Sequence, residues 1–419
     1  MKKQRTPGSN LGIDSDMALG AHPRHPRIYL GWCSVIHVIT DGYIASISLL
    51  LPFIAADLGL SYTQAGFIKT ASHGAISLFQ IPASLLSERL GEVLILGLGV
   101  AWQSASFVTL LVAVSFPVTL LLFFSAGAGG GVYHPVGTGL VSTVYPAAKN
   151  GPAIGTLNFF GDVGKVIFPA LAGLLVIRIG WQGSFATLGC IGGTVGVAFL
   201  IFFRQEIGRR RQDIARNNAA AVDSGVSFWR KGIRQPGQFS FYAVIGFLDE
   251  AVRATSITFL GFLLIKNGIE KEAIGWFVSL AFFGGAFGKL LCGLPIQRLG
   301  PKVIILITVV LKMICCALLP SVPPGWQLVL LIPLFGFVLN GTSSVFYIGI
   351  VPTFEPQYRS RGYSMYYTIT FVAAAISPFA FGTVGDLYGL DAIYYAVAGV
   401  MALVIPLALF LRGHQPVAD

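Results

Sequence analysis

The sequence predicts an all-α integral membrane protein of twelve transmembrane helices arranged as two pseudo-symmetric six-helix bundles. Three observations predict it: an apolar excess too large for a water-soluble globule, a series of apolar runs each long enough to cross a bilayer, and a repeat that superposes one half of the chain on the other.

The first is compositional. Hydrophobic residues make up 54% of the 419 and charged residues only 11%, with a mean hydropathy of +0.75. Polar side chains are too few to coat the surface, so lipid must cover much of it. The 51 glycines and 22 prolines suit that solvent, because both recur inside spanning helices, where small residues let backbones approach. Cys33, Cys190, Cys292, Cys315 and Cys316 lie in apolar segments without C-x-x-C spacing, which argues against a disulfide framework or a zinc site.

The second is length. A hydrocarbon core about 30 Å thick takes roughly 20 residues of helix. Runs of that kind cover 28–54, 62–87, 93–114, 117–145, 151–178 and 182–203, then 238–265, 273–297, 302–320, 326–352, 361–387 and 391–412. The chain thus divides into an N-terminal segment (1–27), a six-helix bundle (28–203), a basic linker (204–237), a second bundle (238–412) and a tail (413–419). The stretch from Ile28 is long and lacks a small-residue cleavage site, so it is expected to stay as the first span.

Basic residues set the orientation. Lys2, Lys3, Arg5 and the linker arginines Arg204, Arg209, Arg210 and Arg211 fall on one side, whereas Arg178, Lys266 and Lys271 fall on the other. Both termini are therefore expected in the cytoplasm, with the chain multi-pass in the inner membrane. The net charge of +10 is a topology signal, and no nucleic-acid partner is expected.

The third is the repeat. Ser84-Leu-Leu-Ser-Glu-Arg-Leu-Gly91 recurs as Gly293-Leu-Pro-Ile-Gln-Arg-Leu-Gly300, an offset of 209 residues that also pairs Gly66 with Gly275, Pro169 with Pro378 and Gly173 with Gly382. Six spans per repeat make the two copies parallel, related by an axis along the membrane normal.

These loops resemble the one between spans two and three of the major facilitator superfamily, G-x-L-A-D-R-x-G-R-R. Arg89 and Gly91 stand in place with Glu88 at the acidic position, while Ser84, Glu92 and Val93 depart from the pattern. The second copy keeps Gly293, Arg298, Gly300 and Lys302, with Gln297 at the acid. The resemblance implies the major facilitator fold, a central cavity lined by spans one, four, seven and ten, and a gating role for Glu88, Arg89 and Arg298. Asp41, the run Val132-Tyr133-His134-Pro135 and the stretch from Gly155 to Asp162 are similar to the fosmidomycin-resistance efflux group, although Val136 replaces an acid common there.

An ionised side chain at the centre of a span costs about 2.5–3.5 kcal/mol on insertion scales, so each one present should face a partner or a wet cavity. Asp41 follows His37 by four residues on one helix face. It reads either as an acceptor for a neighbouring helix or, preferably, as a carboxylate that takes a proton. Lys69 and His73 share a face of span two, with Lys69 a salt-bridge partner for Asp41 or a substrate contact. Asn158, Asp162 and Lys165 form one polar stripe on span five that either neutralises itself or lines the cavity.

In span seven the offset sets Glu250 against Asp41, and Arg253 can bridge Asp249 or Glu250 and leave the other acid to titrate. Asp41 and Glu250 are thus the expected proton-coupling pair. Lys289 takes the place of Gln80 and is a substrate candidate, whereas Lys312 is expected to snorkel or pack at the periphery. Pro135 frees a backbone carbonyl and bends its helix, making Tyr133 and His134 a hinge or a pair of cavity donors. Tyr366, beside Tyr363 and Tyr367, either packs or offers a hydroxyl to substrate.

No nucleotide loop, H-E-x-x-H or G-x-S-x-G run is present, so no catalytic group, metal or cofactor is expected. A channel would need a filter-like loop and a sensor an output domain. What remains is a secondary transporter working by alternating access, monomeric, with protons and membrane lipid as partners. Lys69, Lys165, Arg253, Lys289 and Lys312 outnumber Asp41, Asp162, Asp249 and Glu250, which suits a small anionic or zwitterionic substrate. The efflux resemblance favours proton antiport; the alternative is symport of an organic anion or metal chelate inward.

Overall fold

A computed structural model of the chain describes residues 25–209, 233–355 and 359–411. The N-terminal segment through residue 24, most of the basic linker, the tail and the side chain of Glu88 lie outside the described residues. The helices are α1 (Pro26–Leu58), α2 (Tyr62–Leu90), α3 (Glu92–Thr109), α4 (Phe116–Gly130), α5 (Tyr133–Val144), α6 (Ala147–Phe202), α7 (Pro236–Lys266), α8 (Ile274–Gly293), α9 (Ile296–Leu318), α10 (Trp326–Gly349), α11 (Arg359–Tyr388) and α12 (Leu390–Leu409).

Two features convert these helices into the expected spans. Pro135 supplies no N–H to the helical ladder, and the chain breaks between Gly130 and Tyr133, so α4 and α5 are two pieces of one crossing. Gly180, at φ 71°, divides α6 into two crossings. The described residues therefore cross twelve times, as predicted. Nine stretches are apolar enough for a bilayer by themselves, among them the 54-residue run Lys149–Phe202 that crosses twice. The helices missing from that set are α2 and α7, of 29 and 31 residues. They carry Lys69 with His73, and Asp249, Glu250 and Arg253. Length suffices there, and the polarity marks an interior face.

The repeat is written into the turns. A left-handed residue costs an L side chain about 1–2 kcal/mol, and glycine fills the sharp bends between spans. Gly59, Gly91 and Gly180 have φ of 61°, 96° and 71°, and their partners at the 209-residue offset, Gly268, Gly300 and Gly389, have 87°, 75° and 89°. Each half thus bends at corresponding points.

The halves meet crosswise through the glycines and prolines that the repeat had paired. A methyl group at Gly275 on α8 would stand 3.1 Å from the Pro169 carbonyl oxygen and 2.9 Å from the Gly173 Cα on α6. Correspondingly, one at Gly66 on α2 would run into the Pro378 carbonyl on α11, and one at Gly382 would reach Tyr62. Backbones touch directly at this end of the molecule, where Asp386 also accepts hydrogen bonds from the first turn of α2. At the other helix ends Arg89 and Arg298 are exposed and join no carboxylate among the described residues. Outward faces carry bare Trp102, Leu121, Leu330 and Leu403, as contact with acyl chains requires.

Candidate functional site

The charged residues of the spans gather where the halves face each other. Helix α6 can press against α1 because the contact is made of glycine. A side chain at Gly164 would strike the Val38 carbonyl, and one at Gly161 would stand 2.6 Å from His37 Nε2 and 2.8 Å from Asp41 Oδ2. That close approach sets Lys165 Nζ 2.8 Å from Asp41 Oδ2 and 3.2 Å from Asp162 Oδ1. Lys289, on α8 of the other half, reaches the same Asp162 oxygen at 2.6 Å. Asp41, Lys165, Asp162 and Lys289 form one alternating chain of charge across the seam.

Two histidines flank its first member. His37 Nε2 lies 3.3 Å from Asp41 Oδ2, and His134 Nε2 lies 3.7 Å from Asp41 Oδ1. Three ligating atoms of this kind, within 4.8 Å of one another, could suit a cation. The Lys165 ammonium already sits against the same carboxylate, so the place a metal's charge would take is filled.

A second group lies on α7. Arg253 Nε donates to Glu250 Oε2 at 2.9 Å, and a second guanidinium nitrogen donates to Oε1, making a bidentate pair. Tyr347, Tyr366 and Tyr367 cluster nearby through edge-on and tilted ring contacts, with Tyr347 and Tyr367 centroids 5.2 Å apart. The line continues through Phe371 to His134, 6.5 Å away in the first half.

The structure corrects the expected positions of Lys69 and Lys312. Lys69 does not pair with Asp41. It donates to Ser48 Oγ at 2.7 Å and to the Ile44 carbonyl at 3.0 Å, with no carboxylate on it among the described residues. Ser48 lies seven residues after Asp41, about 10 Å farther along the helix axis, so the two charges sit at different depths. Lys312 is not peripheral: it is fully buried and paired with Asp249, so neither acid of α7 is left over once Arg253 has taken Glu250. Tyr133 is a packing residue, 1% exposed, whose hydroxyl donates to the Cys33 carbonyl. Tyr366 is buried likewise, its hydroxyl filling the space beside Gly246. His73 turns Nδ1 to the Lys69 carbonyl of its own helix at 3.2 Å. Asn158 is exposed, one turn from Asp162.

With Asp249 and Lys312 closed on each other, Lys165, Arg253 and Lys289 remain in contact with Asp41, Asp162 and Glu250, and Lys69 is held by Ser48 and Ile44 alone among the described residues. Lys165, Lys289 and Arg253 keep between 27% and 34% of their side chains exposed there. Partly exposed cations set between two bundles can hold a small anion by charge-assisted hydrogen bonds. Sequence reasoning assigned no role to His37 or Tyr347. His37 was visible as the residue four before Asp41, whereas Tyr347 stands in an apolar run and leaves no periodic signal.

The sequence profile of the Major Facilitator Superfamily matches residues 32–265 and 242–419. A probable L-galactonate transporter of Escherichia coli is 23% identical over 90% of this chain and 86% of its own length. A probable sulfoacetate transporter of Cupriavidus necator is 23% identical over 92% and 94%. Among solved structures, the peptide transporter POT in complex with sulfate superposes with a TM-score of 0.76 at 14% identity, over 95% of this chain and 97% of that one, a likeness of fold.

Proposed function

The chain belongs to the Major Facilitator Superfamily, and from that premise we propose that it carries a small organic anion, a sugar acid or sulfonate, across the inner membrane by alternating access and in the same direction as a proton. The observation that carries this reading is the position of Lys165, held by Asp41 at 2.8 Å and by Asp162 at 3.2 Å. A proton delivered to the Asp41 carboxylate offsets one of the two charges holding that ammonium and leaves it for an anion. Proton binding then raises anion affinity, and by linkage the anion raises proton affinity by the same factor.

Ligands that favour each other's binding cross together. Antiport, which the resemblance to the fosmidomycin-resistance group favours, requires that they exclude each other. With the proton gradient directed inward, cotransport is uptake. The names of the L-galactonate and sulfoacetate transporters support an anion, as does the excess of cations at the seam.

In this scheme Asp41 responds to the proton, and Lys69, Lys165, Arg253 and Lys289 meet the anion. Glu250 holds Arg253 until substrate displaces it. Cytoplasmic termini make the glycine-sealed end periplasmic and this state inward-facing, with Glu88, Arg89 and Arg298 gating the opposite end.

The reading is tested in proteoliposomes with an acid exterior, supplied with labelled L-galactonate, sulfoacetate, galactose or choline. Uptake of an anion alone is expected. Equal uptake of galactose or choline would refute the anionic site.

A further inference from the structure

We propose that His37 holds the transported proton on Nε2, sharing it with Asp41; this rests on the cotransport reading above. The Leu157 carbonyl oxygen stands 2.8 Å from His37 Nδ1. A carbonyl only accepts, so Nδ1 carries a hydrogen whether the ring is neutral or charged. Nε2 is therefore the atom that gains and loses the proton. It is buried, has no hydrogen-bond partner among the described residues, and lies 3.3 Å from Asp41 Oδ2.

With the ring neutral and Asp41 ionised, two lone pairs confront each other out of water. One proton between them removes the conflict. The other groups facing the ring do not. Tyr133, with its ring centroid 4.4 Å from that of His37, donates its hydroxyl to the Cys33 carbonyl. His134 addresses the other carboxylate oxygen, Oδ1. Lys165 is engaged with Oδ2 itself. Gly161 leaves the room the dyad needs, since a methyl there would stand 2.6 Å from Nε2 and 2.8 Å from Oδ2.

The coupling follows from a shared acceptor. A proton on Nε2 makes His37 a cation that competes with Lys165 for Asp41 Oδ2, so loading the histidine loosens the lysine toward an arriving anion. When the anion leaves, Lys165 returns to Asp41 and the proton is expelled. Only a proton changes place, and no bond between heavy atoms forms or breaks.

The full chain labelled with 15N-histidine, in lipid nanodiscs, tests this directly. His37→Gln identifies the His37 signal among the six histidines. The expected spectrum shows Nδ1 protonated throughout and Nε2 gaining its hydrogen as the sample is acidified. Asp41→Asn should alter that transition. A neutral ring with its hydrogen on Nε2, or an Nε2 signal unmoved by acid, overturns the proposal.

In proteoliposomes supplied with labelled L-galactonate or sulfoacetate, His37→Gln should lower pH-driven accumulation about tenfold or more relative to anion exchange, within the usual range of coupling factors. Equal effects on both overturn it. Wild-type protein that moves an anion without protons would sink the cotransport reading as well. Coupled wild-type transport with a silent His37 defeats this inference alone.

Discussion

Asp386, near the end of α11, accepts hydrogen bonds from the backbone N–H groups of Tyr62 at 2.8 Å and Thr63 at 3.0 Å, so a carboxylate of the second half caps a helix of the first. Ser61 and Gln64 already form a capping box at the same turn, and the added anion also meets the positive end of the helix dipole. Asp386→Ala should weaken closure of this end by about 0.5–2 kcal/mol, the ordinary range for a lost cap. Spin labels on the two halves at this end should report a larger open population by double electron–electron resonance. An unchanged distance distribution would show that the cap does not hold the closed state.

The glycine seam makes a sharper prediction. Gly275→Ala places a methyl 2.9 Å from the Gly173 Cα, where only backbone could yield. Overpacking of this kind costs about 1–3 kcal/mol, and here it falls on one conformational state. The same spin-label measurement should show the sealed end opened, with transport reduced several-fold and the protein still folded by circular dichroism.

The buried pair of Lys312 and Asp249 is assigned to architecture. Removing one partner strands the other charge, at about 3–5 kcal/mol. Lys312→Met should therefore lower the melting temperature in detergent markedly, and the double variant with Asp249→Leu should recover most of the loss. Failure of the double variant to recover would point to a role for these charges in transport itself.

In the proposed scheme Lys69 meets the anion. A hydrogen bond to a charged group contributes about 1.5–3 kcal/mol, and each 1.4 kcal/mol is about tenfold. Lys69→Gln keeps a donor for Ser48 while removing the charge. KM for the transported anion should rise roughly 10- to 100-fold with melting unchanged, whereas an unaltered KM would remove Lys69 from the site.

The fold was legible because its signals are local or periodic: apolar runs of bilayer length and a 209-residue repeat whose glycines mark the same bends twice. Half of the site was legible for the same reason. Asp162 with Lys165 and Glu250 with Arg253 are three residues apart on one helix, and His37 with Asp41 four. What could not be read was which helix face turns toward which neighbour. Asp41 with Lys165, Asp162 with Lys289 and Asp249 with Lys312 are separated by long stretches of chain. The expected pairing of Lys69 with Asp41 failed on depth in the membrane, a coordinate that spacing along α2 does not carry.

The central claim is that the anion and the proton cross together. The most direct measurement places the protein in lightly buffered liposomes, adds L-galactonate or sulfoacetate outside, and records external pH. The account predicts alkalinisation that follows anion entry and is abolished by Asp41→Asn. Anion entry with no change in pH, or with acidification of the medium, would contradict it.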